Sequence, residues 1–186
     1  MATEIKPLLT VTDLDLMPDD GNLYEVIEGE LIVSRAPGLA HQRVSRNLLV
    51  VINRYLEQHP IGEVLATPGV MFSELSGVIP DLIFISNERR QEIASGERVI
   101  GAPDLVVEII SPGTENARRD RVAKRHLYGK YGVKEYWVVD PEQRAIEIYR
   151  SQHGSLELIG CLIDDEKITS PLLPDFEFAA ASVFLV

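Results

Sequence analysis

Apolar residues recur along the chain in spacings that predict both helices and strands. Residues 41–58 carry one at every third or fourth position, which is typical of an amphipathic helix with one buried face. The apolar residues of that face are Val44, Leu48, Val51, Ile52, Tyr55 and Leu56. A second long helix is predicted over residues 114–131, with Gly132 as a left-handed cap at its end. Shorter helices are expected at residues 12–17 and 87–95.

Runs rich in β-branched and aliphatic residues predict the strands. Residues 24–33 indicate a β-hairpin whose tight turn is Glu28-Gly29. The run 104–110 carries apolar residues on both faces, so we expect a strand that is covered on both sides. Further strands are predicted at residues 64–72, with a break at Pro68-Gly69, and at 81–85, 135–139, 145–150 and 156–161; residues 172–186 favour a short helix or an edge strand. The predicted fold class is therefore α/β (α+β), a mixed sheet with helices on both faces.

Length and composition indicate one soluble domain. The 186 residues are 45% apolar and 25% charged, enough to bury a core without disulfides, so we expect a single domain over 1–186 with its core at about 20–160. No apolar run is long enough to span a bilayer, and the first residues lack a basic segment followed by an apolar stretch. We therefore expect a cytoplasmic protein that does not bind membranes. The single cysteine, Cys161, excludes an internal disulfide and a thiolate zinc site.

The charge is unevenly distributed. A net charge of -11 argues against a protein that coats nucleic acid by overall electrostatics. Residues 118–134 are the exception, because they contain seven basic side chains and one acid, Asp120. A solvated helix face explains such a cluster most simply. Local binding of a polyanion, aided by a divalent cation, is the functional alternative.

Two carboxylates stand in apolar strands. Glu108 lies in the middle of the 104–110 run, and Asp81 opens the 81–85 run directly after Pro80. A buried charge is costly unless a metal, a cation or hydrogen bonds compensate it, and carboxylate oxygens are the ligands that Mg²⁺ requires. Lys124, on the helix after the Glu108 strand, is the candidate amine. The simpler alternatives are that Glu108 pairs with an arginine, Asp81 caps a strand and Lys124 lies on the surface.

The order of these motifs resembles the PD-(D/E)XK nuclease superfamily and, more closely, the Uma-type restriction endonuclease family, also called a domain of unknown function. The resemblance implies a restriction-endonuclease-like fold, in which a mixed central sheet is flanked by helices and preceded by an N-terminal β-hairpin. The motifs that carry it cover most of residues 20–150: Tyr24-Glu25 to Gly29-Glu30, Pro80-Asp81-Leu82, Pro103 to Pro112, Asp120 to Lys124, Tyr128, and Gly132 to Asp140.

The chain departs from the superfamily pattern at one position. Ile110 stands two residues after Glu108, where the pattern places a lysine. The resemblance therefore implies that Lys124 on the following helix takes that role. Asp104 also follows a proline, but it precedes Glu108 by four residues on one strand, too far along it to share an ion. We therefore choose Asp81 as the aspartate of the motif.

The resemblance implies an endonuclease that depends on Mg²⁺ (or Mn²⁺) and hydrolyses DNA phosphodiester bonds through a metal-activated water. Asp81, Glu108 and the Ile109 carbonyl would hold the metal, and Lys124 would orient the water and stabilise the developing charge. Glu25 in the first hairpin would complete the site, unless it only forms a cross-strand pair. The basic helix would contact DNA phosphates through a set of arginines: Arg118, Arg119, Arg121 and Arg125.

Other functions stay open at the level of sequence. The net charge and Ile110 also suit a regulatory module that keeps the nuclease fold and binds nucleic acid or protein without turnover. A metal-dependent hydrolase of a smaller phosphate ester is a third possibility. A dyad of Ser111 and Lys124 lacks an oxyanion-hole signature, and His41 is either structural or close to the phosphate. A homodimer is considered because nucleases that cut both strands often work as dimers.

Overall fold

The computed structural model describes residues 7–185, apart from the side chains of Ser95, Thr114 and Glu115. Its helices are α1 (Leu39–Gln58), α2 (Asn87–Ile93), α3 (Thr114–Arg118) and α4 (Arg125–Tyr131), with 3₁₀ turns at Val11–Leu16 and Ala180–Phe184. Its strands are β1 (Leu23–Ile27), β2 (Glu30–Ser34), β3 (Gly62–Ala66), β4 (Val70–Ser73), β5 (Ser76–Val78), β6 (Leu82–Ser86), β7 (Ala94–Ser95), β8 (Arg98–Ile100), β9 (Leu105–Ile109), β10 (Glu135–Asp140), β11 (Ala145–Gln152), β12 (Ser155–Ile163), β13 (Lys167–Ser170) and β14 (Leu173–Ala179).

A six-stranded mixed sheet forms the centre of the fold. Its strand order is β12-β11-β10-β9-β6-β3. The pair β9 and β10 is parallel, since a helical crossover joins the two strands, and the other neighbours are antiparallel. Every residue of β9 and β10 is buried. The predicted mixed sheet is thus confirmed, with β9 in its interior.

Helices cover both faces of this sheet. On one face, α1 packs Val44, Leu48 and Ile52 against the side chains of β9 that include Val107. Full burial of a leucine or isoleucine contributes about 1.5–3 kcal/mol, so this stripe holds the helix in place. On the other face, α4 packs Leu127 and its neighbours against the alternate side chains of β9. The apolar residues on both faces of the 104–110 run therefore have partners, as predicted.

A second sheet was not predicted from the sequence. It has the order β2-β1-β5-β4-β8-β7 and includes the predicted hairpin, whose turn residues Glu28 and Gly29 both have positive φ. The break predicted at Pro68-Gly69 within the strand 64–72 is confirmed, and the chain turns there at Thr67, which has a φ of 50°. The two halves belong to different sheets, which was not predicted: β3 joins the central sheet and β4 the second sheet.

The helix predicted over 114–131 contains an irregular turn. Residues Arg119–Lys124 form a π-helical segment between α3 and α4, and Gly132 closes α4 with a φ of 88°, the predicted left-handed cap. Near the C-terminus both predicted alternatives occur, because β14 is followed by a 3₁₀ turn. The last residue of that prediction, Val186, lies outside the described residues. Among the helices of residues 7–185, none has the length and apolar character needed to cross a membrane.

Candidate active site

Asp81 and Glu108 meet at one end of the central sheet. The antiparallel register pairs Leu82 with Val107, which brings Asp81, one residue before β6, beside Glu108 in β9. Asp81 Oδ2 accepts a hydrogen bond of 2.7 Å from the Ile109 amide and lies 3.1 Å from His41 Nε2. Both carboxylates line one pocket. The two acids predicted from separate strands therefore share a site.

Lys124 reaches this site from the helix. Its ammonium lies 2.9 Å from Glu108 Oε1 and 3.1 Å from Glu25 Oε1, and the side chain is buried. Tyr128, one turn further along the helix, donates its hydroxyl to the same Oε1 atom of Glu108 at 2.5 Å. The helix thus supplies two donors to one carboxylate oxygen, and Lys124 is not a surface residue.

Glu25 belongs to the site rather than to a cross-strand pair on the hairpin. Its Cα partner in β2 is Ile32, an apolar residue, while its carboxylate faces Lys124. Oε1 also accepts a hydrogen bond of 2.8 Å from the Ile79 amide, which fixes the side chain. The second sheet therefore positions one acidic residue of the pocket.

The π-helical segment places two charged side chains inside the protein. Asp120 and Lys124 are 2% and 3% exposed. The Tyr136 hydroxyl, from β10, donates to the Asp120 carbonyl at 2.9 Å, which satisfies a backbone group in the widened turn. Arg119 Nε donates to Asp120 Oδ1 at 3.2 Å. Single π turns inside α-helices are frequent at functional sites.

Burial and the local charges shift several pKa values. Burial raises the pKa of Glu108 to about 8; Lys124 opposes this shift, and the nearby carboxylates Asp81, Asp120 and Glu25 add to it. Burial also raises the pKa of Asp120. For Lys124, burial disfavours the charged ammonium, but Glu108, Glu25 and Asp120 outweigh it and raise the pKa above its ordinary value. Lys124 therefore stays protonated at neutral pH, with three carboxylates around its one ammonium group.

The family is identified from the chain as a whole. A family model described as Uma2, "Putative restriction endonuclease", matches residues 11–181. The chain belongs to the Uma2 family. Among solved structures it is similar to a "putative nuclease belonging to DUF820" from Anabaena variabilis ATCC 29413, with a TM-score of 0.75 and 20% sequence identity over 95% of this chain and 97% of that chain. That likeness confirms the nuclease-like mixed α+β fold. No curated protein matches the chain.

The four arginines predicted to contact DNA occupy different surroundings in this Uma2 protein. Arg119 lines the pocket, and its Nη1 donates to Ser34 Oγ at 3.3 Å. Arg121 instead binds Asp140 and Glu147. Of the remaining two, the guanidinium of Arg125 lies over the Tyr149 ring at 5.3 Å and Arg118 is exposed. One of the four is thus placed beside the carboxylates.

Much of the positive charge of residues 118–134 is paired inside the molecule. Lys130 binds Glu28, and Lys134 binds Asp104 at 2.6 Å. Asp104, the alternative aspartate of the motif, also accepts from the Ser86 amide and lines a different pocket from Glu108. The segment is therefore not a uniformly free basic face.

The oxygen donors of the pocket fit a hard divalent cation. Within residues 7–185 as described, no group of three or more His, Cys, Asp or Glu side chains has the arrangement to hold a metal alone. In the described part of the chain, bonds engage only Oδ2 of Asp81 and Oε1 of Glu108, so each carboxylate keeps one oxygen for a ligand. Mg²⁺ commonly binds through one or two carboxylates and keeps several waters, which suits this donor set.

Sequence reasoning missed several contacts of the site. The bond between His41 and Asp81 joins residues 40 positions apart, and that between Arg119 and Ser34 joins residues 85 apart. No local spacing signals such pairs. The sequence places Asp120 and Lys124 on one helical face, four residues apart, but it did not predict that Asp120 is buried.

Proposed function

We propose that this Uma2 protein is a Mg²⁺-dependent endonuclease that hydrolyses phosphodiester bonds of DNA. One observation carries the proposal: the Lys124 ammonium lies between the carboxylates of Glu108 and Glu25, which line the same pocket as Asp81. A buried, protonated amine beside two carboxylates with available oxygens is suited to phosphoryl chemistry, where charge must be stabilised in the transition state. It also supplies the amine that is absent from position 110.

The metal would be held by Asp81 and Glu108, with the Ile109 carbonyl beside them. When bound, Mg²⁺ polarises a phosphate oxygen and lowers the pKa of a coordinated water. The two carboxylates are arranged for such a ligand because their inner oxygens are already engaged: Asp81 Oδ2 by the Ile109 amide and His41, and Glu108 Oε1 by Lys124 and Tyr128.

The chain's own cations act on the substrate. Lys124 Nζ has three hydrogens, so it can hold Glu108 and Glu25 and still donate one hydrogen bond to a phosphate oxygen or to the attacking water. Arg119, whose Nη1 and Nε bind Ser34 and Asp120, keeps its other donors for a second phosphate oxygen. Glu25 and Tyr128 fix the positions of Lys124 and Glu108. We expect loss of either cation to lower the turnover of DNA.

Metal binding is the first test because it needs no knowledge of the DNA sequence recognised. Mn²⁺ is titrated calorimetrically into the wild type and into the isosteric variants Asp81→Asn and Glu108→Gln. Asp104→Asn is the matched control, since Asp104 is buried but lines a different pocket. We expect saturable binding in the wild type and the control, and its loss in both pocket variants. Equal binding in all four proteins would contradict the site.

Cleavage is tested on supercoiled plasmid and on single-stranded DNA with Mg²⁺. We expect Lys124→Gln to lose cleavage while it keeps Mn²⁺ binding, because the amine acts on the substrate. Cleavage that persists in Glu108→Gln would refute the assignment. Inhibition by mononucleotides but not by duplex DNA would point to a smaller phosphate ester instead.

A non-catalytic binding module is the second candidate. The internal pairing of Arg121, Lys130 and Lys134 favours its protein-binding form, because it reduces the free positive charge that a DNA-binding surface needs. This candidate predicts nucleic-acid or protein binding with neither Mn²⁺ binding nor cleavage. Cytoplasmic location and a homodimer stay predictions from the sequence.

A further inference from the structure

His41 is a buried histidine beside the carboxylates. It lies in the first turn of α1, its side chain is 7% exposed, and its Nε2 is 3.1 Å from Asp81 Oδ2. Its other ring nitrogen, Nδ1, is buried and has no hydrogen-bond partner among the described residues. A histidine kept only for structure usually satisfies both nitrogens when it is buried. Among the described residues, the bond to Asp81 is the single side-chain hydrogen bond of His41, so a role for this histidine is sought in that bond.

The direction of that bond follows from its partners. An ionised carboxylate oxygen can only accept, so His41 Nε2 carries the hydrogen and donates to Asp81 Oδ2. In the tautomer with its one hydrogen on Nε2, Nδ1 carries no hydrogen, and a buried acceptor without a partner is less rare in proteins than a buried N–H group without one. The Ile109 amide donates to the same oxygen at 2.7 Å. Two donors on Oδ2 fix the plane of the carboxylate and leave Oδ1 for a ligand.

We infer that His41 is a positioning residue that sets the metal-binding orientation of Asp81. The inference rests on the proposed function, since it takes Asp81 as a metal ligand. Helix α1 is a rigid support for this role, because Val44, Leu48 and Ile52 anchor it in the core behind His41. Hydrogen-bond partners of metal ligands typically change metal affinity about 10–100-fold when they are removed.

Two amide substitutions test the inference. In His41→Gln the side-chain nitrogen reaches the region of Nε2, whereas in His41→Asn it stops near Nδ1, short of Asp81. The two variants bury the same polar group, so they differ mainly in contact with the carboxylate. We expect His41→Gln to bind Mn²⁺ almost as the wild type does and His41→Asn to bind about 10–100-fold more weakly. His59→Asn, an exposed histidine at the other end of α1, is the control and should bind normally.

Far-UV circular dichroism and thermal unfolding establish that each variant folds. Equal Mn²⁺ affinity in folded His41→Gln and His41→Asn, whether normal or weakened, would overturn the inference. If His41→Asn does not fold, wild-type affinity in His41→Gln supports it and lost affinity overturns it.

A measurement without metal separates this inference from the proposed function. Nitrogen-15 spectra of the histidine rings distinguish a protonated Nε2 from a protonated Nδ1. We expect the Nε2–H form for His41 in the wild type, lost as a defined form in Asp81→Ala. The opposite form would overturn the inference even if Mn²⁺ binds. Absence of Mn²⁺ binding in the wild type, together with the Nε2–H form, would instead count against the proposed metal site.

Discussion

Replacement of Lys124 by methionine tests the charge balance of the pocket. Methionine is unbranched and of similar length, so Lys124→Met removes the ammonium with little change of packing. Glu108, Glu25 and Asp120 then lie in the protein without their shared cation. Removal of one partner from a buried ion pair leaves an uncompensated charge, which costs about 3–5 kcal/mol.

The distances support that magnitude. With an effective dielectric constant of about 20, a unit charge attracts its partner by roughly 5–6 kcal/mol at the 2.9 Å and 3.1 Å that separate Lys124 from Glu108 and Glu25. Proton uptake by the carboxylates limits the loss. The folded pKa values of Glu108 and Asp120 already lie above their ordinary values, and loss of Lys124 raises them further. The stability of the variant should therefore be greatest at low pH and fall as the pH rises through these folded values.

The assay is urea unfolding in the presence of a chelator, at about pH 5.5 and pH 8.5. Lys130→Met is the control, since Lys130 and its partner Glu28 are each about half exposed and their interaction is screened by solvent. We expect Lys124→Met to lose most stability at the higher pH and the control to remain close to wild type. The same small loss in both proteins, or a larger loss at the lower pH, would refute the reasoning.

Three further predictions follow from the same contacts. Because burial raises the pKa of Glu108 to about 8, Mn²⁺ must displace a proton from this side chain, so Mn²⁺ affinity should increase as the pH rises to that value. Calorimetry in buffers of different ionisation enthalpy would measure the proton released on binding, and an affinity independent of pH would contradict the prediction. At about pH 9, where Glu108 with its pKa of about 8 is ionised, Tyr128→Phe removes a bond to a buried carboxylate and should cost about 1.5–3 kcal/mol of unfolding free energy. Tyr131→Phe, whose partner is neutral, should cost about 0.5–1.5 kcal/mol; equal costs at that pH would argue against a charged Glu108. Burial opposes ionisation of Asp104, but Lys134 and a backbone amide outweigh burial and lower the pKa of this carboxyl. The free energy of unfolding of the wild type should therefore exceed that of Asp104→Asn above about pH 4, and the difference should shrink below that pH. A difference in unfolding free energy that stays constant with pH would exclude the shift.

The elements that could be predicted are those with a local signature. The spacing of Val44, Leu48 and Ile52 defines α1, and the apolar residues on both faces define β9. The partition of strands between two sheets could not be predicted, because it depends on the non-local pairing of β1 with β5 and of β4 with β8. Periodicity reports which face of a strand is buried but not which neighbour covers it.

The candidate site was predictable where a charge stood in an apolar run. Asp81 and Glu108 carry that signal, and the structure places both in one pocket. The π turn at Arg119–Lys124 had no such signal, since its sequence is compatible with an ordinary helix. The register of that turn depends on Tyr136, which donates to the Asp120 carbonyl from a strand 16 residues away.

Because Lys124 lies on the helix and not on strand β9, the geometry of the site depends on how the helix packs. Position 110, on the same face as Glu108 and just after β9, is an isoleucine. Ile110 packs in the apolar cluster that includes Leu127 and Tyr128. The Lys124 ammonium approaches Glu108 from the helix, which this apolar cluster holds in place. Packing of the helix against β9 and formation of the pair between Lys124 and Glu108 are therefore coupled: the apolar contacts fix the helix, and the fixed helix presents Lys124 and Tyr128 to one carboxylate oxygen. A strand lysine would need no such support, so this arrangement makes the geometry of the site depend on the core beneath it.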